Sequence, residues 1–256
     1  MTSDLPLVVI GGTLCDVRIW SPVLGDGDAI KIVAGQTLGG DISATGDMTT
    51  YASDLLQDLP PRFCLIGFSL GGLIALEMIA QGPDRIAGLA LICAGFGAET
   101  EAGAKTRRAD EVRAEKIGMA GHAAQDIWPR FSAQSQAHAA EFLDMAQVIG
   151  LDLYRCQNDL AISRHDSLPR LGKIDVPVLL VTGDKDPLCP PMRHEIAEGK
   201  IANVKRVIIE RAGHMICFDK LDELSRLIDE WTAEVSGMTS NRARAEPNLH
   251  KAQVAS

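Results

Sequence analysis

The stretch Phe63-Cys64-Leu65-Ile66-Gly67-Phe68-Ser69-Leu70-Gly71-Gly72 decides the fold of this chain. Its first six residues form an apolar run without polar alternation, which is typical of a strand buried on both faces. An apolar helical pattern, Leu70–Ala80, follows directly. The residues between them fit Gly-x-Ser-x-Gly in the strand-to-helix context that this motif requires. We therefore predict a sharp turn that presents the Ser69 hydroxyl at the carboxyl end of a buried strand.

Similar short apolar runs alternate with helical patterns along most of the chain. This alternation predicts an α/β fold with a doubly wound, mainly parallel sheet and helices on both faces. The six predicted strands are Leu7–Ile10, Ala29–Val33, Phe63–Phe68, Leu89–Cys93, Val178–Thr182 and Val207–Ile209. The helices predicted around them are Tyr51–Leu59, Leu70–Ala80 and Asp219–Val235.

The alternation stops between residues 96 and 170, where the sequence becomes charged and rich in alanine. We predict a helical cap there, inserted into a core made of residues 1–95 and 171–236. Residues 237–256 show no apolar periodicity, and we predict a disordered tail. The helices predicted within the cap are Thr100–Ile117, Ala123–Ser132, Ala137–Gly150 and Asp152–Ser163.

Composition excludes several classes of function. The net charge of −9 argues against a nucleic-acid partner, since phosphate binding needs a basic face. No apolar run approaches the roughly 20 residues that span a bilayer, and the first residues lack the features of a signal peptide. The six cysteines form no CxxC pair and no metal-site spacing, which favours free thiols in a reducing cytoplasm. We expect a cytoplasmic protein that acts on a small molecule without a metal or cofactor; the sequence assigns no oligomeric state.

Two later loops carry groups that could activate the serine. A serine hydroxyl needs a base to become a nucleophile. Asp186 follows one predicted strand and His214 follows the next, and the carboxyl ends of parallel strands meet at one edge of a sheet. The chain order Ser…Asp…His is the one that accompanies this serine motif. We predict Ser69 as nucleophile, His214 as base and Asp186 as the acid that orients the base.

Alternatives exist for both partners of the serine. Asp184 competes with Asp186, although its position directly after the turn glycine favours a bond within the turn. His165, at the end of the predicted cap, and His194, in a helix after the loop that carries Asp184 and Asp186, are weaker candidates for the base.

Two backbone amides should stabilise the oxyanion formed during acyl transfer. One should come from Leu70, the residue after the serine. The other should come from the glycine-containing loop Gly11-Gly12-Thr13-Leu14-Cys15-Asp16, where glycine permits close backbone approach. We predict Thr13 as this donor, with Leu14 as the near alternative.

Together these residues resemble the α/β-hydrolase superfamily along about residues 5–235. The first loop is similar to the superfamily's His-Gly-x oxyanion motif, with Gly11 where histidine is usual. That departure keeps the amide donors but removes a side chain that often braces the loop. The segment Asp159–Leu171 resembles the cap exit of a group of small bacterial hydrolases.

The resemblance implies an α/β-hydrolase fold and a serine hydrolase. We expect hydrolysis of a small carboxylic ester, thioester or lactone through an acyl-enzyme. Other reactions occur on the same fold, which does not by itself decide among them. The alternatives are a cofactor-free C–C bond hydrolase, lyase or oxygenase that uses His214 as base, an acyltransferase, and a small-molecule binding protein with little turnover.

Overall fold

Six strands form one sheet in the computed structural model, which describes residues 5–25, 28–132 and 138–245. The strand order is β2-β1-β3-β4-β5-β6, and every neighbouring pair is parallel. Strand β1 therefore lies inside the sheet, β2 lies beside it at one edge, and β3 to β6 follow in order on its other side. The strands are β1 (Leu7–Ile10), β2 (Ile30–Ile32), β3 (Phe63–Phe68), β4 (Ile86–Ile92), β5 (Val178–Gly183) and β6 (Val204–Ile209).

Helices cover both faces of this sheet, which confirms the predicted doubly wound fold. The α-helices are α1 (Ser21–Leu24), α2 (Met48–Asp58), α3 (Leu70–Gln81), α4 (Glu101–Ile117), α5 (Met119–His122), α6 (Trp128–Phe131), α7 (Ala139–Ser163), α8 (Pro191–Glu198), α9 (Ile216–Asp219) and α10 (Leu221–Ala245). A π-helical turn, Ala123–Ile127, joins α5 to α6, and short 3-10 turns occur at Val17–Trp20, Pro83–Arg85 and Leu171–Lys173.

Alternate side chains of each central strand enter two separate apolar cores. Leu65 packs in the core that contains α2 and α3, whereas its neighbour Ile66 packs in the core that contains α1 and α10. All six residues of β3 are buried, because helices cover both faces of the strand. The centre of the sheet is therefore a fixed platform for the turn at Ser69.

Helices α4 to α7 lie between β4 and β5, so the predicted helical insertion is present. The two last helices predicted in it form one kinked helix, α7, with a non-helical residue at Gly150 (φ 70°, ψ 172°). Glycine tolerates this backbone conformation and so permits the kink. The predicted start of this segment at Ala137 lies outside the described residues.

Several boundaries differ from prediction, most of them by one to three residues, and three of the differences have an identifiable reason or consequence. Strand β4 begins at Ile86, whereas the predicted start was Leu89, because Gly88 interrupts the apolar run in the sequence. In the structure, a Cβ at Gly88 would lie 2.8 Å from Val235 of α10. Strand β6 begins at Val204, and its early polar residues reflect the solvent at the sheet edge. Helix α10 continues to Ala245, so the predicted disordered tail was wrong for residues 237–245.

The last residues of the α10 extension, 242–245, alternate arginine with alanine, and both favour helix, whereas Gly237 and residues 239–241 do not. The first proline after the apolar part of this helix is Pro247. Residues 246–256 of the predicted tail lie outside the described residues. No helix within residues 5–25, 28–132 and 138–245 is both long and apolar enough to cross a bilayer.

Candidate active site

The turn between β3 and α3 holds Ser69 in a rare backbone conformation. Its φ of 52° lies in the left-handed region, which is strained for a residue with a Cβ. The turn is possible because its flanking residues are glycine. A Cβ on Gly67 would lie 2.4 Å from the oxygen of Gly71, and a Cβ on Gly71 would lie 2.1 Å from the oxygen of Ile10. The close backbone contacts fix the direction in which the serine hydroxyl points.

His214 connects Ser69 to Asp186. Its Nε2 lies 2.8 Å from Ser69 Oγ, and its Nδ1 lies 2.9 Å from Asp186 Oδ2. An ionised carboxylate can only accept, so Nδ1–H donates to Asp186 and Nε2 accepts from the serine hydroxyl. The structure thus brings together the three side chains predicted from sequence, each from the carboxyl end of a different strand.

Asp186 is held as a carboxylate. Burial alone would raise its pKa, but the hydrogen bond and charge of His214 lower it, and the net pKa lies below the usual range. Its second oxygen, Oδ1, accepts the backbone N–H groups of Leu188 and Cys189, both at 2.8 Å. These bonds also fix the carboxylate's orientation toward the imidazole.

Asp184, the alternative acid, contacts a different part of the histidine loop, the segment 210–215 between β6 and α9 that carries His214. It accepts the backbone N–H of Ala212 at 3.2 Å and pairs with Lys185 at 3.4 Å. The alternative histidines also lie elsewhere. His194 is buried against the carbonyl of Ala94, where burial lowers its pKa to about 4, and His165 contacts Thr49.

Thr13 and Leu70 both line the cavity that contains Ser69. Leu70 begins α3, and the first amides of a helix have no acceptor within the helix. The Leu14 amide, the alternative to Thr13, donates instead to Gln157 Oε1 at 3.0 Å.

The cavity over Ser69 has a volume of about 280 Å³ and lies between the core and the inserted helices. Its floor is the serine turn and the histidine loop. Its roof comes from α4, α6 and α7 and includes apolar and charged side chains. Lining residues from the insertion include Arg107, Phe131, Phe142, Tyr154 and Asn158.

The end of α6 is hydrogen-bonded to the histidine loop. Met215 N–H donates to Phe131 O at 3.1 Å, and the Phe131 ring centroid lies 5.7 Å from that of His214. Asp219 joins the same two segments. Its Oδ2 accepts the N–H of Gly213 at 2.7 Å, and its Oδ1 accepts the hydroxyl of Ser132 at 2.8 Å. The insertion therefore contacts the loop that positions the histidine.

A charged cluster lies where the insertion begins and ends. Glu99 Oε2 accepts from Arg107 Nε at 2.7 Å and from Arg164 Nη1 at 2.8 Å. Burial opposes ionisation, but the two guanidinium groups outweigh it and lower the pKa of Glu99 to about 2. Arg164 also donates to the carbonyl of Gly97 at 2.9 Å, so the cluster ties together the two connections between insertion and core.

One group of possible metal ligands lies in the site. Atoms of Cys93, Asp186 and His214 lie within 4.8 Å of one another. Both ring nitrogens of His214 are already engaged, and burial raises the pKa of the Cys93 thiol well above its usual value. The thiol is therefore not the thiolate that binds metals, and the chemistry of these donors does not favour a metal centre.

Sequence reasoning missed Cys93, Glu99 and Gln157. Each reaches the site from a segment without a recognisable motif. A clue to Glu99 was its place between the last core strand before the insertion and a helix rich in arginine. Nothing local marks Gln157, because its partners are 143 and 123 residues away in sequence.

Comparison with known proteins places the chain in a family. A model of the alpha/beta hydrolase fold family matches residues 47–221. The chain belongs to this family, as its sheet and serine turn predict.

Two curated relatives support the class of reaction. A pimeloyl-[acyl-carrier protein] methyl ester esterase of Neisseria meningitidis is 30% identical over 223 residues, covering 80% of this chain and 66% of the relative. The enzyme of that name from Legionella pneumophila is 24% identical, covering 89% of this chain and 95% of the relative. At the level of reaction class, the chain is an ester hydrolase.

A solved structure shares the architecture. A thermophilic esterase from Thermogutta terrifontis superposes with a TM-score of 0.79 at 22% identity, covering 91% of this chain and 90% of that chain. At this identity the likeness shows the fold alone.

Proposed function

We propose that the chain hydrolyses esters of small carboxylic acids through an acyl-enzyme formed on Ser69. The observation that carries this proposal is the pair of contacts of His214, 2.8 Å to Ser69 Oγ and 2.9 Å to Asp186 Oδ2. This geometry lets one imidazole take the serine proton while the carboxylate stabilises the resulting imidazolium.

The reaction follows from these groups. Ser69 Oγ attacks the ester carbonyl as His214 Nε2 takes its proton, and the amides of Leu70 and Thr13 bind the oxyanion. The tetrahedral intermediate expels the alcohol, which takes the proton from His214. Water, deprotonated by His214, then attacks the acyl-enzyme, and the acid leaves as Ser69 recovers its proton. Engagement of the Leu14 amide by Gln157 supports Thr13 as the loop donor.

The cavity supports small substrates. Its volume of about 280 Å³ suits a short acyl group, and the inserted helices line the side opposite the serine turn. The curated relatives named as methyl ester esterases support a simple alkyl ester as the leaving side. Thioesters and lactones of similar size present the same carbonyl and are included in the proposal.

The first experiment identifies the nucleophile. Intact-mass spectrometry after treatment with a fluorophosphonate should show one adduct, on Ser69. Ser69→Ala should abolish labelling and lower kcat for p-nitrophenyl butyrate by about 10⁴ or more. Ser53→Ala, in the half-buried part of α2, is the matched control and should retain both.

The same experiment separates the alternatives. More than a tenth of the activity remaining in Ser69→Ala would favour carbon-acid chemistry by His214. Labelling of Ser69 without turnover of any ester would favour acyl transfer or simple binding.

Acyl-chain length tests the size of the cavity. The acetate and butyrate esters of p-nitrophenol should exceed the palmitate in kcat/KM, and raising a short ester past its solubility limit should produce no jump in rate. Preference for the palmitate would show that the roof opens to accept lipid.

A further inference from the structure

The turn after β1 has a backbone conformation that its own sequence disfavours. Cys15 N–H donates to Gly12 O at 3.2 Å, which closes a four-residue turn. Leu14, the third residue of this turn, has a φ of 62°, whereas Thr13 does not have a positive φ. This is the pattern of a type II turn, whose third position usually holds glycine. A leucine there needs an outside contact to hold the peptide between Thr13 and Leu14 in place.

Gln157, from the second half of α7, supplies such a contact. Its Oε1 accepts the Leu14 N–H at 3.0 Å, and its Nε2 donates to the carbonyl of Ala34 at 3.0 Å. The side chain is fully buried, and both ends of its amide are paired. The amide therefore joins the loop after β1 to the segment after β2, with its own orientation fixed by two opposite hydrogen bonds.

The bond to Leu14 has a consequence for the neighbouring amide. The peptide that carries the Leu14 N–H also carries the Thr13 carbonyl, so holding this peptide fixes the turn around Thr13. Within residues 5–25, 28–132 and 138–245, no acceptor is found for the Thr13 N–H. Gly11 has no side chain with which to brace the loop from the core side.

We propose that Gln157 is the positioning residue of the oxyanion loop, residues 11–16: a side chain of the inserted helices fixes the turn that aims the Thr13 amide. This inference rests on the proposed function, because it assigns Gln157 to the same reaction. Gln157 does not touch the reacting atoms, and it acts on the rate through Leu14 and Thr13. The insertion therefore roofs the site and also completes it.

The test uses Gln157→Met, which keeps an unbranched side chain of similar length, and Gln157→Leu. The matched control is Gln147→Leu, on an exposed position of the same helix. For each, kcat and KM are measured with p-nitrophenyl butyrate, with kcat expressed per Ser69 titrated by fluorophosphonate so that unfolded protein is not counted. Affinity is measured for an alkylboronic acid, which forms a tetrahedral adduct on an active serine, and for butyrate, which does not.

We expect kcat of the Gln157 variants to fall about ten- to hundredfold, less than the 10²–10³ lost when a donor is deleted. KM and butyrate affinity should stay within about threefold, and boronic acid affinity should fall by the same factor as kcat/KM. The pH profile should be unchanged, since His214 and Asp186 are untouched. Gln147→Leu should match the parent in every measurement.

Two results would overturn the inference. One is a kcat within twofold of the parent in both Gln157 variants. The other is a fall in kcat without a parallel fall in boronic acid affinity. If the parent turned over no ester, the proposed function would fail; the role of Gln157 would then be judged on boronic acid affinity and the rate of Ser69 phosphonylation, which also use the oxyanion loop.

Discussion

The core and the inserted helices are held by different forces. In the core, the site depends on backbone contacts and buried hydrogen bonds, such as the glycines around Ser69 and the amides that bind Asp186. In the insertion, arginine–carboxylate pairs join its helices and connections, as at the partly buried Glu99, and an exposed lysine–glutamate pair, Lys105 and Glu101, lies within α4. Geometry fixed by backbone contacts tolerates few changes, whereas charge pairs at a surface contribute little each. The two regions should therefore respond to substitution on different scales.

The largest effect should come from the acid of the core. Asp186→Asn should lower kcat by about 10³–10⁴, because the imidazole would be held in the wrong tautomer. Asp184→Asn is the matched control and should keep kcat within about threefold, since Asp184 bonds only the backbone and Lys185 among the contacts described above. Steady-state kinetics of both variants measures the two values of kcat. A larger loss of kcat in Asp184→Asn than in Asp186→Asn would assign the orienting role to Asp184.

A backbone contact of the core gives the next effect. Gly71→Ala places a Cβ about 2.1 Å from the oxygen of Ile10, so β1 and α3 must separate. The free energy of unfolding should fall by about 3 kcal/mol and the melting temperature by about 10 °C. Gly97→Ala, at the start of the insertion, meets nothing within 4 Å and should change little. Calorimetry measures the melting temperature of both variants. Equal decreases would show that the core and the insertion do not differ in their tolerance of an added Cβ.

Glu99 tests the partly buried charge cluster of the insertion. Glu99→Gln should lower the free energy of unfolding by about 2 kcal/mol at pH 7, because two guanidinium groups lose their shared carboxylate. Since the pKa of Glu99 is lowered to about 2 in the folded state, this contribution is present above about pH 5 and is lost as the pH falls toward 2. Urea unfolding of parent and variant at pH 7, 5 and 3.5 should show their difference shrinking; a constant difference would mean that packing rather than charge holds the cluster.

The smallest effect should come from the exposed pair on α4. Lys105 and Glu101 lie one helical turn apart, 2.6 Å between charged atoms, with both side chains mostly in solvent. Lys105→Gln should change the free energy of unfolding by about 0.5 kcal/mol or less, and the change should vanish in 1 M salt. A decrease in the free energy of unfolding as large as that of Glu99→Gln would show that burial does not determine how much an ion pair contributes to stability.

The same contrast explains what could be predicted from sequence. The bounds of β1 and β3 and the three residues that meet at the candidate site were all predicted, because buried parallel strands leave continuous apolar runs and their loops share one edge. The long helices α4 and α7 of the insertion were predicted, whereas α5 and the contacts of the insertion were not. Gln157 reaches Leu14 across 143 residues, and no local pattern encodes such a pairing. Where polar residues make the strand, as in β6, even its first residue was missed.

The hydrogen bonds between the end of α6 and the histidine loop determine what a chimera with another protein's helical insertion would need. Phe131 O holds the N–H of Met215, and Ser132 shares the carboxylate of Asp219 with Gly213. A chimera that received its helical insertion from a relative would inherit the core's Ser69, His214 and Asp186 intact. It would still need donors and acceptors at these junctions to hold the loop. We therefore expect an exchanged insertion to hold the loop that carries His214 only when the junction residues are exchanged with it.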